Sequence, residues 1–205
     1  VYLGRLPILD TKQNVVAYEL LFRADHHNKA IVANNSAASA NVIIETYGQL
    51  GIDNVIGKRR GFIKVDAQLL MHDSILLLPK KHVVLEILRG VEITESITQR
   101  CAFLKQKGYQ LALSYTAQSS THYDHILSLV NIVKINVNEL TSAHLIAVMK
   151  QLRRFPILLL AEKVETQETA KHCISLNFQM LQGFFFTQPE VMSGKNIDPS
   201  KLSLL

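Results

Sequence analysis

The segment Pro156-Ile157-Leu158-Leu159-Leu160-Ala161 is apolar throughout, with Phe155 before its proline and Glu162-Lys163-Val164-Glu165-Thr166 after it. An apolar run this short, with turn signals at both ends, fits a strand buried on two faces, as in a parallel sheet covered by helices. Its charges then fall at the strand's C-terminal end. In an α/β barrel the loops converge at that end, and the active site is built there.

The same pattern of apolar strand and terminal charge recurs along the chain. Val1 to Asp10 and Val15-Val16-Ala17-Tyr18-Glu19-Leu20-Leu21-Phe22-Arg23 are extended runs joined by the polar turn Thr11-Lys12-Gln13-Asn14, which predicts a hairpin with one antiparallel strand. Further strands are expected at Gly61–Asp66, His82–Leu88, Tyr109–Tyr115, Asn131–Val137 and Met180–Phe186. Helices are expected between them. One runs from Asn35 or Ser36 to about Leu50; another, capped by Thr94, carries Ile97, Cys101 and Leu104 on one face and stops at Gly108. A short helix passes through Tyr123, Ile126 and Leu127. Two more start at Thr141, with Leu145, Val148 and Leu152 inward, and at Thr166, with Ala170, Cys173 and Ile174 as the buried stripe. Alternation of strand and helix argues for parallel βα units, and their number favours a closed barrel: a modified TIM-type (β/α) barrel with one antiparallel strand near the N-terminus.

A chain of 205 residues, 48% of them hydrophobic, can bury one sizeable core. The expected domain is 1–190, with 191–205 an exit linker; the start at Val1 and the abrupt end at Leu205 suggest a piece of a longer protein. The formal charge of +5 comes from dispersed clusters such as Lys58-Arg59-Arg60 and Lys80-Lys81 without interleaved aromatics, so no nucleic-acid partner is expected. No apolar run approaches the roughly 20 residues of a membrane span, so no membrane partner is expected either. Cys101 and Cys173 form no metal-binding or redox pair and read as buried thiols of a reducing, cytoplasmic protein. His26-His27 reads as an exposed loop pair.

Glu19 and Arg23 flank one strand; Lys64, Glu86, Lys134, Glu162 and Gln182 lie in or at the ends of the others. Ionisable groups within apolar strands are costly to bury unless they face one another or a ligand. Convergence in one pocket would satisfy them together. Such a set could hold a cation, bind phosphate or form a structural ion-pair cluster, and a lysine among carboxylates could form a Schiff base if burial lowered its pKa.

Tyr18-Glu19-Leu20-Leu21-Phe22-Arg23, Leu85-Glu86-Ile87, Val133-Lys134-Ile135, Ala161-Glu162-Lys163-Val164-Glu165-Thr166 and Gln182-Gly183-Phe184-Phe185-Phe186 resemble, in order, the signatures of the EAL domains of cyclic di-GMP signalling. Gly4-Arg5-Leu6-Pro7-Ile8 and the tail from Pro189 resemble the EAL half of EAL-HDOD proteins, in which a helical HDOD domain follows. The resemblance implies a modified barrel that hydrolyses cyclic di-GMP with two Mg²⁺ or Mn²⁺ ions. It places Glu19, Glu86 and Glu162 at metal-ligand positions, and Lys134 where it would orient the attacking water. Ligand-binding positions fall on Glu19, Leu21, Arg23, Lys64, Glu162 and Gln182.

The departures from that pattern are chemical. Lys64 stands where the family has an asparagine ligand, Ser114-Tyr115 where it has an Asp-Asp pair, Leu20 for an alanine, Lys163 for a glycine and Asn136 for an aspartate. Two-metal hydrolysis needs carboxylates that hold both cations. An ammonium in their midst would repel a cation by about 4 kcal/mol at about 4 Å and an effective dielectric near 20. The expectation is a domain without hydrolytic metals, in which Lys64 pairs with Glu19 or Glu86 and stands in for an ion. No cofactor is expected, with Mg²⁺ or Mn²⁺ only if activity is retained. The expected partner is a regulatory protein, with cyclic di-GMP and a homodimer kept open. The alternatives are a weakly active cyclic di-GMP phosphodiesterase and a lysine-dependent barrel enzyme.

Overall fold

The computed structural model describes residues 2–23, 51–115, 123–186 and 190–192. Nine strands follow in chain order: β1 (Tyr2–Asp10), β2 (Val15–Arg23), β3 (Arg60–Val65), β4 (Val83–Ile87), β5 (Gln110–Ser114), β6 (Ile132–Asn136), β7 (Leu158–Glu162), β8 (Met180–Leu181) and β9 (Glu190–Met192). β2 to β8 pair in sequence order, all parallel, and β1 closes the barrel by pairing antiparallel with both β2 and β8. The reversal follows from the connection. Parallel neighbours need a crossover of a dozen or more residues, whereas β1 and β2 are joined by a turn in which Asp10 Oδ1 accepts the amides of Lys12 and Asn14, both at 2.8 Å. β9 pairs antiparallel with Leu3–Arg5 of β1, so the boundary drawn at residue 190 falls inside a strand.

The described helices are α1 (Ile52–Ile56), α2 (Ala67–Met71), α3 (Glu95–Gln106), α4 (Tyr123–Leu127), α5 (Ser142–Leu152) and α6 (Gln167–Ser175). Thr94, Thr141 and Thr166 cap α3, α5 and α6 by accepting amide hydrogen bonds from Ile97, His144 and Thr169. α2 was not anticipated; its signal is Asp66, whose Oδ1 accepts the Leu69 amide at 2.7 Å. α3 buries Ile97, Cys101 and Leu104 as its spacing predicts. On α5 the buried stripe is Leu145, Met149 and Leu152, with Val148 only partly covered, because a gap of four and then three residues keeps to one face of the helix. On α6, Ala170 and Cys173 are buried but Ile174, one residue further round, is 40% exposed. The helix expected before Leu50 and the pair His26-His27 lie outside the described residues.

Two apolar clusters hold the barrel. The larger lies between strands and helices. The smaller is Ile8, Ala17, Phe62, Val84, Ala112, Ile132, Leu160 and Met180, one inward residue from each of β1 to β8, and it fills the barrel interior. Side chains along a strand return to the same face every second residue. The next inward layer is therefore Leu6, Glu19, Lys64, Glu86, Ser114, Lys134, Glu162 and Gln182: β3, β4, β5 and β7 reach it at or near their C-terminal ends, β1, β2 and β6 at their middles, and Gln182 follows β8 directly.

Candidate functional site

The register brings the predicted residues together, two positions beyond the apolar layer. Glu19 pairs alongside Phe62 on β3, Lys64 alongside Glu86, Glu86 alongside Ala112, Ser114 alongside Lys134, and Asn136 alongside Glu162. Lys134 is the centre of the layer. Its side chain has no solvent exposure, and its ammonium bonds Glu19 Oε2, lies 3.3 and 3.4 Å from the two oxygens of Glu86, and 3.3 Å from Glu162 Oε2. Three further donors complete the pairing. Lys64 Nζ meets Glu19 Oε1 at 2.6 Å, Gln182 Nε2 donates to Glu19 Oε2 at 3.0 Å, and Ser114 Oγ donates to Glu86 Oε1 at 2.8 Å.

Arg89, just past β4, is a cation that sequence reasoning passed over. Its guanidinium donates to Glu162 Oε1 at 2.7 Å and to Glu139 Oε2, while Asn136 Nδ2 donates to Glu139 Oε1 at 2.7 Å. The available signal was the one used elsewhere, a charge following an apolar strand: Arg89 follows β4 as Glu139 follows β6. Three carboxylates of the inner layer thus face three side-chain cations, Lys64, Lys134 and Arg89.

Burial and charge divide the carboxylates. Burial alone would push Glu19 up, but the ammoniums of Lys134 and Lys64 together outweigh it and hold its carboxyl at about 2. Burial raises Glu86 and the negative charge of Glu19 adds to it, outweighing the opposing pull of Lys134, Lys64 and the Ser114 hydroxyl. Burial would lower Lys134, yet Glu86, Glu19 and Glu162 overcome that and raise it, so its ammonium persists across the physiological range. A Schiff-base role needs an amine lowered toward neutrality, and the three carboxylates around Lys134 shift it the other way. Lys64 pairs with Glu19, as expected, but does not lie among the carboxylates. Its side chain is 41% exposed, because it reaches from β3 toward the mouth; the ammonium that sits between Glu19 and Glu86 is that of Lys134.

Above this layer opens a cavity of about 270 Å³ at the barrel mouth. Leu21, Lys64, Lys163, Glu165 and Phe184 line it, over Glu19, Glu162 and Gln182. Arg23 ends β2, and its side chain lies outside the described residues. Glu165 is exposed beside the cap of α6, and Tyr115 is buried at the end of β5. Gly183 is required by close approach, since a Cβ there would lie 2.0 Å from the Val164 carbonyl oxygen.

A barrel with this strand order, carrying this inner layer, matches the EAL domain family model over residues 6–189. The chain belongs to the EAL domain family. Among curated proteins it is similar to YuxH of Bacillus subtilis (strain 168), at 30% identity over 201 residues, covering 96% of this chain and 49% of that one. It is equally similar to the cyclic di-GMP phosphodiesterase CdgJ of Vibrio cholerae serotype O1 (strain ATCC 39315 / El Tor Inaba N16961), at 30% over 205 residues, covering 97% of this chain and 46% of that one. The chain spans about half the length of the curated relatives it matches. Among solved structures, the manganese and cyclic di-GMP complex of Klebsiella pneumoniae BlrP1 superposes with a TM-score of 0.76 at 18% identity, covering 92% of this chain and 56% of that one; at that identity the likeness is one of fold.

The donors of this EAL domain do not fit a pair of divalent cations. Hard cations need oxygen ligands free to point at them. Here Glu19, Glu86 and Glu162 all turn their oxygens to ammonium or guanidinium groups, and among the described residues no group of three His, Cys, Asp or Glu is arranged to hold a metal. Among the described residues no helix is long and apolar enough to cross a membrane.

Proposed function

We propose that this EAL domain is a signalling module that does not hydrolyse cyclic di-GMP and acts by binding, chiefly to a regulatory protein partner and, at its mouth, to a nucleotide. The observation that carries the reading is the pairing of each carboxylate at the family's metal positions with a cation from the protein itself. Two-metal displacement clamps the attacking and leaving oxygens between cations. In this domain Lys134 fills the space among the carboxylates, and Ser114 offers a neutral hydroxyl to Glu86. The buried, unpaired thiols Cys101 and Cys173 support a reducing, cytoplasmic setting.

The test is a hydrolysis assay on the purified domain with cyclic di-GMP and millimolar Mn²⁺ or Mg²⁺, following the linear product. The expected rate is at background; turnover of about one per second or faster overturns the proposal. A second reading, a weakly active cyclic di-GMP phosphodiesterase, is favoured by the likeness to CdgJ, and the same assay decides between the two.

A further inference from the structure

The turn leaving β7 holds a lysine in a backbone conformation that suits glycine. Lys163 has φ of 64°, in the left-handed region, where a side chain costs about 1–2 kcal/mol. The fold imposes this turn from both sides. The Val164 amide donates to the Gln182 carbonyl at 3.0 Å, Gly183 packs against the Val164 backbone, and Asn138 Nδ2 donates to the Lys163 carbonyl at 3.1 Å. Any residue at position 163 must take this conformation, and glycine would do so without strain. The other left-handed non-glycine residues among those described are Gln13 and Asn177, both in turns away from the mouth.

The strained lysine gains little from the fold. Its side chain is exposed, it has no carboxylate within ion-pair distance among the described residues, and its ammonium lies 5.8 Å from the centre of the Phe184 ring, near the outer limit of a cation–π contact. Phe184 is itself 50% exposed and lines the mouth cavity, as do Lys163 and the half-open Lys64. The carboxylates beneath are already met. Glu19 has two ammoniums, and Glu162 has Lys134 and Arg89, so among the described lining residues Glu165 is the carboxylate left without an ion pair. The Lys163 ammonium beside an open aromatic face, with Lys64 paired to Glu19 but half-exposed in the same cavity lining, suits a ligand with a negative group next to a planar ring.

We infer that Lys163 is a ligand-binding residue: with Lys64 it forms a metal-independent site at the barrel mouth for the phosphodiester group of a nucleotide whose ring lies on Phe184. The inference rests on the reading of the mouth as a nucleotide site and names the residues that would work there without a divalent ion.

Calorimetric titration of the purified protein with cyclic di-GMP in excess EDTA tests it. The wild type is expected to bind. Lys163→Gly should weaken binding about tenfold, the value of one hydrogen bond to a charged group, with no fall in Tm because the strain is relieved. Lys163→Arg, which keeps the charge, should restore binding. Phe184→Ala should weaken it by about tenfold or more, through loss of stacking. Absence of binding by the wild type in EDTA, wild-type affinity in Lys163→Gly or Phe184→Ala, or failure of Lys163→Arg to restore binding overturns the inference. A fall of several degrees in the Tm of Lys163→Gly also overturns it, by showing that the lysine serves the fold. Hydrolysis in the Mn²⁺ assay would sink the non-hydrolytic reading and leave the EDTA titration to judge Lys163 separately.

Discussion

Replacing Lys134 by methionine tests the account of the inner layer at its centre. Methionine fills nearly the same space, so the cavity contribution is small, but Glu86 and Glu162 each lose an ammonium, and Glu19 keeps only Lys64. Removing one partner from a buried ionic cluster typically costs about 3–5 kcal/mol, and Lys134, with no exposed side-chain area, belongs to that class. The pH dependence carries the sign. In the wild type the Glu19 carboxyl, held at about 2 against an ordinary 4.5, contributes stability that is present above 4.5 and lost as pH falls toward 2. In the variant Glu19 and Glu86 lose the Lys134 charge that opposes their burial, so as carboxylates they destabilise the fold near neutrality and become neutral as the solution is acidified. The stability gap should therefore be widest at pH 7–8 and narrow steadily as pH falls toward 4. Since the raised Lys134 stays protonated, no matching change is expected in the wild type between pH 7 and 9. Urea titrations at fixed m from pH 4 to pH 8 would measure the gap. A gap under about 1 kcal/mol throughout, or one of constant size at every pH, would refute the ion-cluster argument and leave only packing.

Lys64→Met should cost about 1 kcal/mol or less in the same titrations, because its side chain is 41% exposed and Lys134 still serves Glu19. Gly183→Ala should destabilise the fold by more than about 3 kcal/mol or prevent folding, since its Cβ would meet the Val164 backbone at 2.0 Å; circular dichroism melts would show it. The combined change Lys64→Asn, Ser114→Asp and Tyr115→Asp should return partial Mn²⁺ binding before any hydrolysis, read by calorimetry and by product formation. Cys101, its thiol pushed up to about 12 by burial, should stay unmodified by thiol reagents at pH 8 until denaturant is added.

Much of the barrel was legible because strand and helix announce themselves by different periods. The strands from β3 to β7 were each placed to within about two residues, and the threonine caps of α3, α5 and α6 were read correctly from their position before an apolar stripe. The misses sit where two neighbouring residues compete for one face. Val148 and Met149, or Cys173 and Ile174, are equally apolar, and only the packed helix decides which turns inward. The site's membership was legible from charge inside apolar strands, but its geometry was not. Whether Lys64 or Lys134 lies between the carboxylates depends on which strand's register points the longer reach inward, and no local pattern encodes that. Arg89 was hidden for a similar reason, since an arginine after a strand reads as solvated until the opposite rim supplies Glu139 and Glu162.

The apolar layer of one residue from each of β1 to β8 lies directly beneath the charged layer, so the strands are held at two depths by two kinds of contact. Below, apolar packing and the helix contacts outside hold the strands in register; two residues further along the same strands, the ion pairs around Lys134 do so. An exchange at a half-exposed upper position such as Lys64 can therefore leave the lower layer, and the strand register, in place. A barrel of this construction keeps its shape when a side chain at its mouth is exchanged, so shape alone says little about what the mouth does.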